Sequence, residues 1–351
     1  MTTERRIVDA SEQLAEQRRS VSFDSYDITV KQLVSMVTGG EINIAPEYQR
    51  HFVWDDVRQS QLIESIFLGI PVPSLFMATN KDATWEVVDG LQRITTLLNF
   101  IQPEEIPSSI NISDDPLSLK GLEKLTALNG ETYQSLPDTL QLSLLTRPMR
   151  LTVLNDRSDF QVRFDLFERL NTGGIILHEQ EIRGCVFLGP FNDFIKECAS
   201  DERLRTLVKR RDTGGRGNLE ELVLKFFAYL EHRDNFTHSV KDFLNEYMEK
   251  KTKKFGNRRE LEKVFNSTLD YLSQNAPNGI VRSARPNTTP LVLFEAMAVG
   301  VGTAAIKSKA LKPVDLQAVM DSTELTKATT GATNSRPKLE KRISIVENAV
   351  T

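Results

Sequence analysis

Asp89, Gln92 and Arg93, set in the run Asp-Gly-Leu-Gln-Arg, bring three kinds of chemistry into one short stretch. A carboxylate can hold a divalent cation or a water, an amide can orient a group, and a guanidinium can neutralise phosphate charge. The flanking residues predict how they are carried. Trp85, Val87 and Val88 favour a strand, Gly90 allows a tight turn, and Ile94, Leu97 and Leu98 recur at helical spacing. Asp89 then falls where an N-cap belongs, with Gln92 three residues on, as in an acidic capping box. Unpaired amides at such a helix start, the positive end of the helix dipole and Arg93 together make a seat for a phosphate. Asp89 repels a phosphate unless it serves as the cap or shares a divalent cation with it. The alternative is a capped helix whose Arg93 merely pairs with Asp89 or Glu86.

Other stretches offer related chemistry. Ile42 to Trp54 is an extended segment in which Tyr48, Gln49, Arg50 and Trp54 mix rings with basic and amide groups. Such a mix suits a pocket wall or a DNA path, or else a strand whose aromatics are core. Asn171-Thr172-Gly173-Gly174 follows a helix striped by Phe160, Phe164 and Phe167. It can form an anion nest from successive amides, or a plain helix C-cap. A new helix is predicted near His178. Lys250, Lys251, Lys253 and Lys254, backed by Arg258 and Arg259, could grip a nucleic-acid backbone, as could the group from Arg203 to Arg216. The alternative in both cases is a solvated helix face.

The elements that must position these residues can be read in order. Residues 1–25 are polar and read as a loose arm. A helix capped by Asp55 or Asp56 carries the stripe Leu62, Ile63, Ile66, Phe67 and stops at Gly69. Pro73 to Ala78 and Thr84 to Val88 read as a hairpin, residues 103–137 as a surface connection with one or two small helices, and Arg147 to Leu154 as a strand. Beyond Gly189 the pattern is almost wholly helical, with Leu291 to Ile306 buried, Pro313 to Met320 helical, then a loop to Arg336 and a terminal helix. The fold class is α+β, a small mixed sheet followed by a mostly helical region.

Composition sets further bounds. A chain of 351 residues with a formal charge of −4 has no global drive toward nucleic acid, so such binding must be local. Two cysteines, Cys185 and Cys198, are too few for a disulfide framework or a thiolate zinc site. No stretch reaches the roughly 20 apolar residues of a membrane span, and the charged N-terminus is no secretory signal, so a cytoplasmic location is expected.

Taken together, Tyr48-Gln49-Arg50 with Trp54, Gly69-Ile70-Pro71-Val72-Pro73, Asp89 to Arg93, and Phe167 to Gly174 leading to Glu181-Ile182-Arg183 resemble the N-terminal domain family of GmrSD-type (type IV) restriction systems. The resemblance implies a ParB/sulfiredoxin-like domain over residues 26–200, with residues 201–351 as a helical extension. It also implies nucleoside triphosphate binding or hydrolysis, with Mg²⁺, at the Asp89–Arg93 turn. Asp89 is then the metal or water ligand, Gln92 and Arg93 its catalytic companions, and Gly90, Arg50, Asn171, Thr172, Gly173, Gly174 and Arg183 the nucleotide-binding set. Leu91 departs from the family motif, which has a glutamine there, and removes an amide donor. The His-Asn-His nuclease that often accompanies this domain needs paired histidines, and only His51, His178, His232 and His238 are present. Cleavage is therefore expected of a separate nuclease subunit. The function implied is that of a sensor or regulatory subunit of an anti-phage, DNA-targeting system, with a non-enzymatic DNA-binding module or an interaction scaffold as alternatives.

Overall fold

The computed structural model describes residues 22–44, 52, 54–80, 82–107, 110, 112–155, 160–170, 178–209, 218–307, 311–331 and 333–351. The chain divides into two compact units, residues 1–176 and 177–351.

The first unit runs β1 (Phe23–Thr29), α1 (Val30–Thr38), β2 (Ile42–Asn43), α2 (Asp56–Leu68), β3 (Leu75–Thr79), β4 (Trp85–Asp89), α3 (Leu91–Ile101), α4 (Asp138–Leu145), β5 (Pro148–Leu154) and α5 (Phe160–Leu170). Its strands form one mixed sheet in the order β1-β5-β3-β4-β2. β1 pairs antiparallel with β5, β5 parallel with β3, β3 antiparallel with β4, and β4 parallel with β2. The expected hairpin is therefore β3–β4, which delivers the chain directly into α3. Leu75, Met77, Val87, Leu151 and Val153 from the sheet join Ile63 and Ile66 of α2 and Ile94, Leu97 and Leu98 of α3 in one core. Each such side chain contributes roughly 1.5–3 kcal/mol on burial.

Local signals explain where the elements stop. Asp55 caps α2, its carboxylate accepting from the Arg58 amide at 2.8 Å, and Gly69 ends it in the left-handed region at φ 72°. The connection after α3 contains two short 3-10 turns, Thr126–Leu128 and Tyr133–Ser135. Glu64 of α2 pins that connection by accepting the amides of Lys124 and Leu125 at 2.7 and 2.8 Å. One expectation fails here. Residues 23–25, read as the end of an arm, belong to β1, an edge strand exposed at five successive positions and so without the alternation that betrays a strand.

The second unit is helical, as expected: α6 (Glu179–Val186), α7 (Pro190–Ala199), α8 (Glu202–Leu207), α9 (Asn218–His232), α10 (Val240–Lys253), α11 (Arg258–Asn275), α12 (Leu291–Lys307), α13 (Leu316–Asp321), α14 (Thr323–Thr329) and α15 (Arg336–Val350). α12 lies at its centre, buried from Leu293 to Ala304. Gly300 admits α15: a Cβ there would lie 2.6 Å from that of Val346. α14 corrects the loop expected before Arg336. Its threonines are weak helix formers, but Ser322 caps it through the Leu325 amide and Leu325 and Ala328 are buried. Among the described residues no helix is long and apolar enough to cross a membrane.

The second unit also carries a chain of charges, buried at Arg183, Arg342 and Glu295 and open to solvent at Glu179. Arg183 pairs with Glu179 (2.9 Å) and Glu221 (3.4 Å), Lys225 with Glu221 (2.9 Å) and Glu295 (3.2 Å), and Arg342 with Glu295 (3.1 Å). Burial alone would raise the Glu221 carboxyl, but Lys225 and Arg183 outweigh it and hold it below the usual range. The Lys225 ammonium is conversely held above its ordinary value, Glu295 and Glu221 outweighing desolvation.

Candidate functional site

Asp89 is the last residue of β4 and Gly90 the first outside it. Gly90, not Asp89, is the N-cap of α3, at φ 109° and ψ 8°, and among the described residues no side chain caps the helix. Glycine is required twice over at this position. The dihedral lies in the left-handed region, and a Cβ would collide with Leu75 Cδ2. The expected capping box is thus absent, because both of its side chains are engaged elsewhere.

The Asp89 side chain turns along the helix to its i+4 neighbour. Arg93 Nη2 donates to Asp89 Oδ2 at 2.5 Å, while Nη1 donates to the carbonyls of Pro73 and, at 3.2 Å, Ser74. The guanidinium is thereby tied to the chain entering β3, and its side chain is 10% exposed against 42% for Asp89. Burial pulls the Arg93 guanidinium below its ordinary value and Asp89 opposes that pull. The cation stays charged at any working pH. One oxygen of an accessible carboxylate is therefore fixed by a buried cation at the mouth of the turn.

Gln92 turns the other way. Its Oε1 accepts the backbone N–H of Trp54 at 3.2 Å, and the Trp54 carbonyl accepts from Gln59 Nε2 at 3.1 Å. The Arg58 guanidinium lies 4.8 Å from the Trp54 ring centre. Trp54 is thus brought to the same end of the sheet as Asp89, Gly90 and Arg93. The role of Arg58 was missed in the sequence; its i+4 spacing from Trp54 was the available signal. Glu86, buried at 4% exposure within β4, is a second residue whose burial the sequence reading did not foresee.

Tyr48, Gln49, Arg50, Asn171, Thr172, Gly173 and Gly174 lie outside the described residues. Arg183 belongs to the second unit, where its fully buried guanidinium also donates to Asn245 Oδ1 at 2.8 Å. Of the basic cluster, Lys251 is buried: its Nζ lies 2.7 Å from Glu231 and 2.9 Å from Asn257, over the ring of Tyr247. Lys253 pairs with Glu249 and Arg258 with Glu197, each at 2.5 Å, while Lys250 and Lys254 are exposed. Acids thus neutralise much of the stripe.

The resemblance read from the motifs is borne out by comparison. Residues 30–188 match the family model for the GmrSD restriction endonuclease N-terminal domain. That span covers the β3–β4 hairpin, the turn and α3, together with α6 of the second unit. No curated protein matches the chain. Among the described residues no group of three or more His, Cys, Asp or Glu could hold a metal. The donor set at the turn, one accessible carboxylate, suits Mg²⁺, which keeps several waters and commonly takes one or two carboxylates plus substrate phosphates.

Proposed function

We propose that the chain is the sensor or regulatory component of a DNA-targeting, restriction-type system, and that its first unit binds a nucleoside triphosphate with Mg²⁺ at the β4–α3 turn. One observation carries this reading: an Asp89 carboxylate held by buried Arg93, yet 42% exposed, beside a helix start that no side chain among the described residues caps. Phosphate oxygens would take first-turn amides of α3, and Asp89 would share Mg²⁺ with them. Arg93 acts from behind by fixing Asp89, since its Nη donors point inward, and Gln92 shapes the wall through Trp54. Tyr48, Gln49, Arg50 and Asn171 to Gly174 complete the pocket in this reading, on a ParB/sulfiredoxin-like domain. The restriction setting comes from the family match, and strand cleavage is assigned to a separate nuclease subunit.

A melting panel with ATP, GTP, CTP and UTP, each with and without Mg²⁺, tests the reading. At a hundredfold excess over Kd, the preferred nucleotide stabilises by about 2.7 kcal/mol, and only with Mg²⁺. If none of the four moves the melting temperature, the chain is better described as an interaction scaffold.

A further inference from the structure

We infer that Gln59 and Asn99 are positioning residues that fix the Trp54 backbone beside the β4–α3 turn; their purpose rests on the nucleotide reading, their geometry does not. The peptide groups of Trp54 are held from two sides, the N–H by Gln92 Oε1 at 3.2 Å and the carbonyl by Gln59 Nε2 at 3.1 Å. Gln59 Nε2 also lies 3.4 Å from Asp56 Oδ1. Behind it, Asn99 Nδ2 donates to Gln59 Oε1 and Asn99 Oδ1 accepts the Ser113 amide, both at 3.1 Å. Gln59 and Asn99 are each 4% exposed.

A buried pair of amides is a poor way to gain stability. Each hydrogen bond returns little net of desolvation, and two leucines of similar shape would serve the neighbouring apolar core at least as well. What leucines cannot supply is a fixed height and angle for the Trp54 peptide. The ladder runs from α3 through α2 to Trp54 and back to α3 at Gln92, so it closes on the helix that begins at the turn. Tyr48, Gln49 and Arg50 lead in sequence into that anchor. The amide ladder therefore fixes the Trp54 peptide beside the turn.

The test uses the full chain carrying Trp85→Phe, which leaves Trp54 as the single tryptophan. In the Gln59→Leu/Asn99→Leu variant, Trp54 emission should shift to the red and acrylamide quenching should rise, while the melting temperature stays near that of the Trp85→Phe parent. Affinity for the nucleotide selected from ATP, GTP, CTP and UTP with Mg²⁺ should fall about tenfold. Gln59→Met, which removes the donor to Trp54 with little change of volume, should give the same optical change if the double variant does not fold. Unchanged emission and quenching in whichever variant folds overturns the inference. If the Trp85→Phe parent binds no nucleotide but the optical change occurs, the nucleotide reading fails and the positioning role stands.

Discussion

Both units join arginine to carboxylates, to opposite ends. In the second unit one pair is sealed in, Arg342 at 2% exposed and Glu295 at 6%, with Lys225 beside them, while Arg183 is fully buried and its Glu179 is 47% exposed. In the first unit the arginine is sealed but Asp89 is left 42% exposed. A buried ion pair locks helices, whereas a pair buried at one end only presents an oriented carboxylate to solvent. Exposure of the acid does not by itself separate framework from site, since Glu179 on Arg183 is as exposed as Asp89; what sets Asp89 apart is the helix start beside it, which has no side-chain cap among the described residues, whereas Glu181 accepts the His178 amide at the start of α6.

Several substitutions would break that contrast. Glu295→Ala should have the largest effect, because it leaves buried Arg342 without its carboxylate and Lys225 with Glu221 alone, and about 3–5 kcal/mol should be lost in urea unfolding followed by circular dichroism. Replacing all three, as Glu295→Leu with Lys225→Met and Arg342→Met, should restore most of that loss. Arg93→Ala should cost about 2–3 kcal/mol, since the Pro73 and Ser74 carbonyls and Asp89 lose their partner. It is read best by tryptophan fluorescence, both tryptophans lying in the first unit. Loss of nucleotide stabilisation should accompany it.

A graded effect follows from Glu221. Its folded-state carboxyl is depressed, so the stability it contributes is present above the unfolded value of 4.5 and is lost as pH falls through the lower folded value. Acidification below about pH 4.5 should therefore weaken the helical unit progressively, and Glu221→Gln should flatten that slope. The smallest change is expected from Lys250→Gln with Lys254→Gln, two exposed positions, at under about 0.5 kcal/mol. Any DNA affinity should nevertheless lose part of its salt dependence in that variant.

Much of the scaffold was legible because its signals are local. Asp55 and Gly69 bracket α2, the hairpin alternates, and Gly90 marks the turn. Cap assignment failed because it depends on a choice between near-equal partners: Asp89 could serve the amides of α3 or reach Arg93, and tertiary anchoring of Arg93 on Pro73 and Ser74 decided it. Lys251 looked like one of four solvated lysines until Glu231 on α9 was placed beside it. Arg183 and Lys225 each have an acid four residues back, Glu179 and Glu221, but their partners on other helices, Asn245 and Glu295, leave no mark at short spacing. Asp89 and Arg93 were found because their relation is i to i+4. The ladder through Gln59 and Asn99 was not, because it joins residues about forty apart.

What the exposed Asp89 carboxylate binds decides the role of the first unit. Calorimetric titration of the full chain with ATP, GTP, CTP and UTP in Mg²⁺, repeated on Asp89→Asn, asks this directly. The prediction is one-site binding of at least one nucleotide that weakens tenfold or more in Asp89→Asn while the fold is retained. No binding in the parent, or equal binding in the variant, would contradict it.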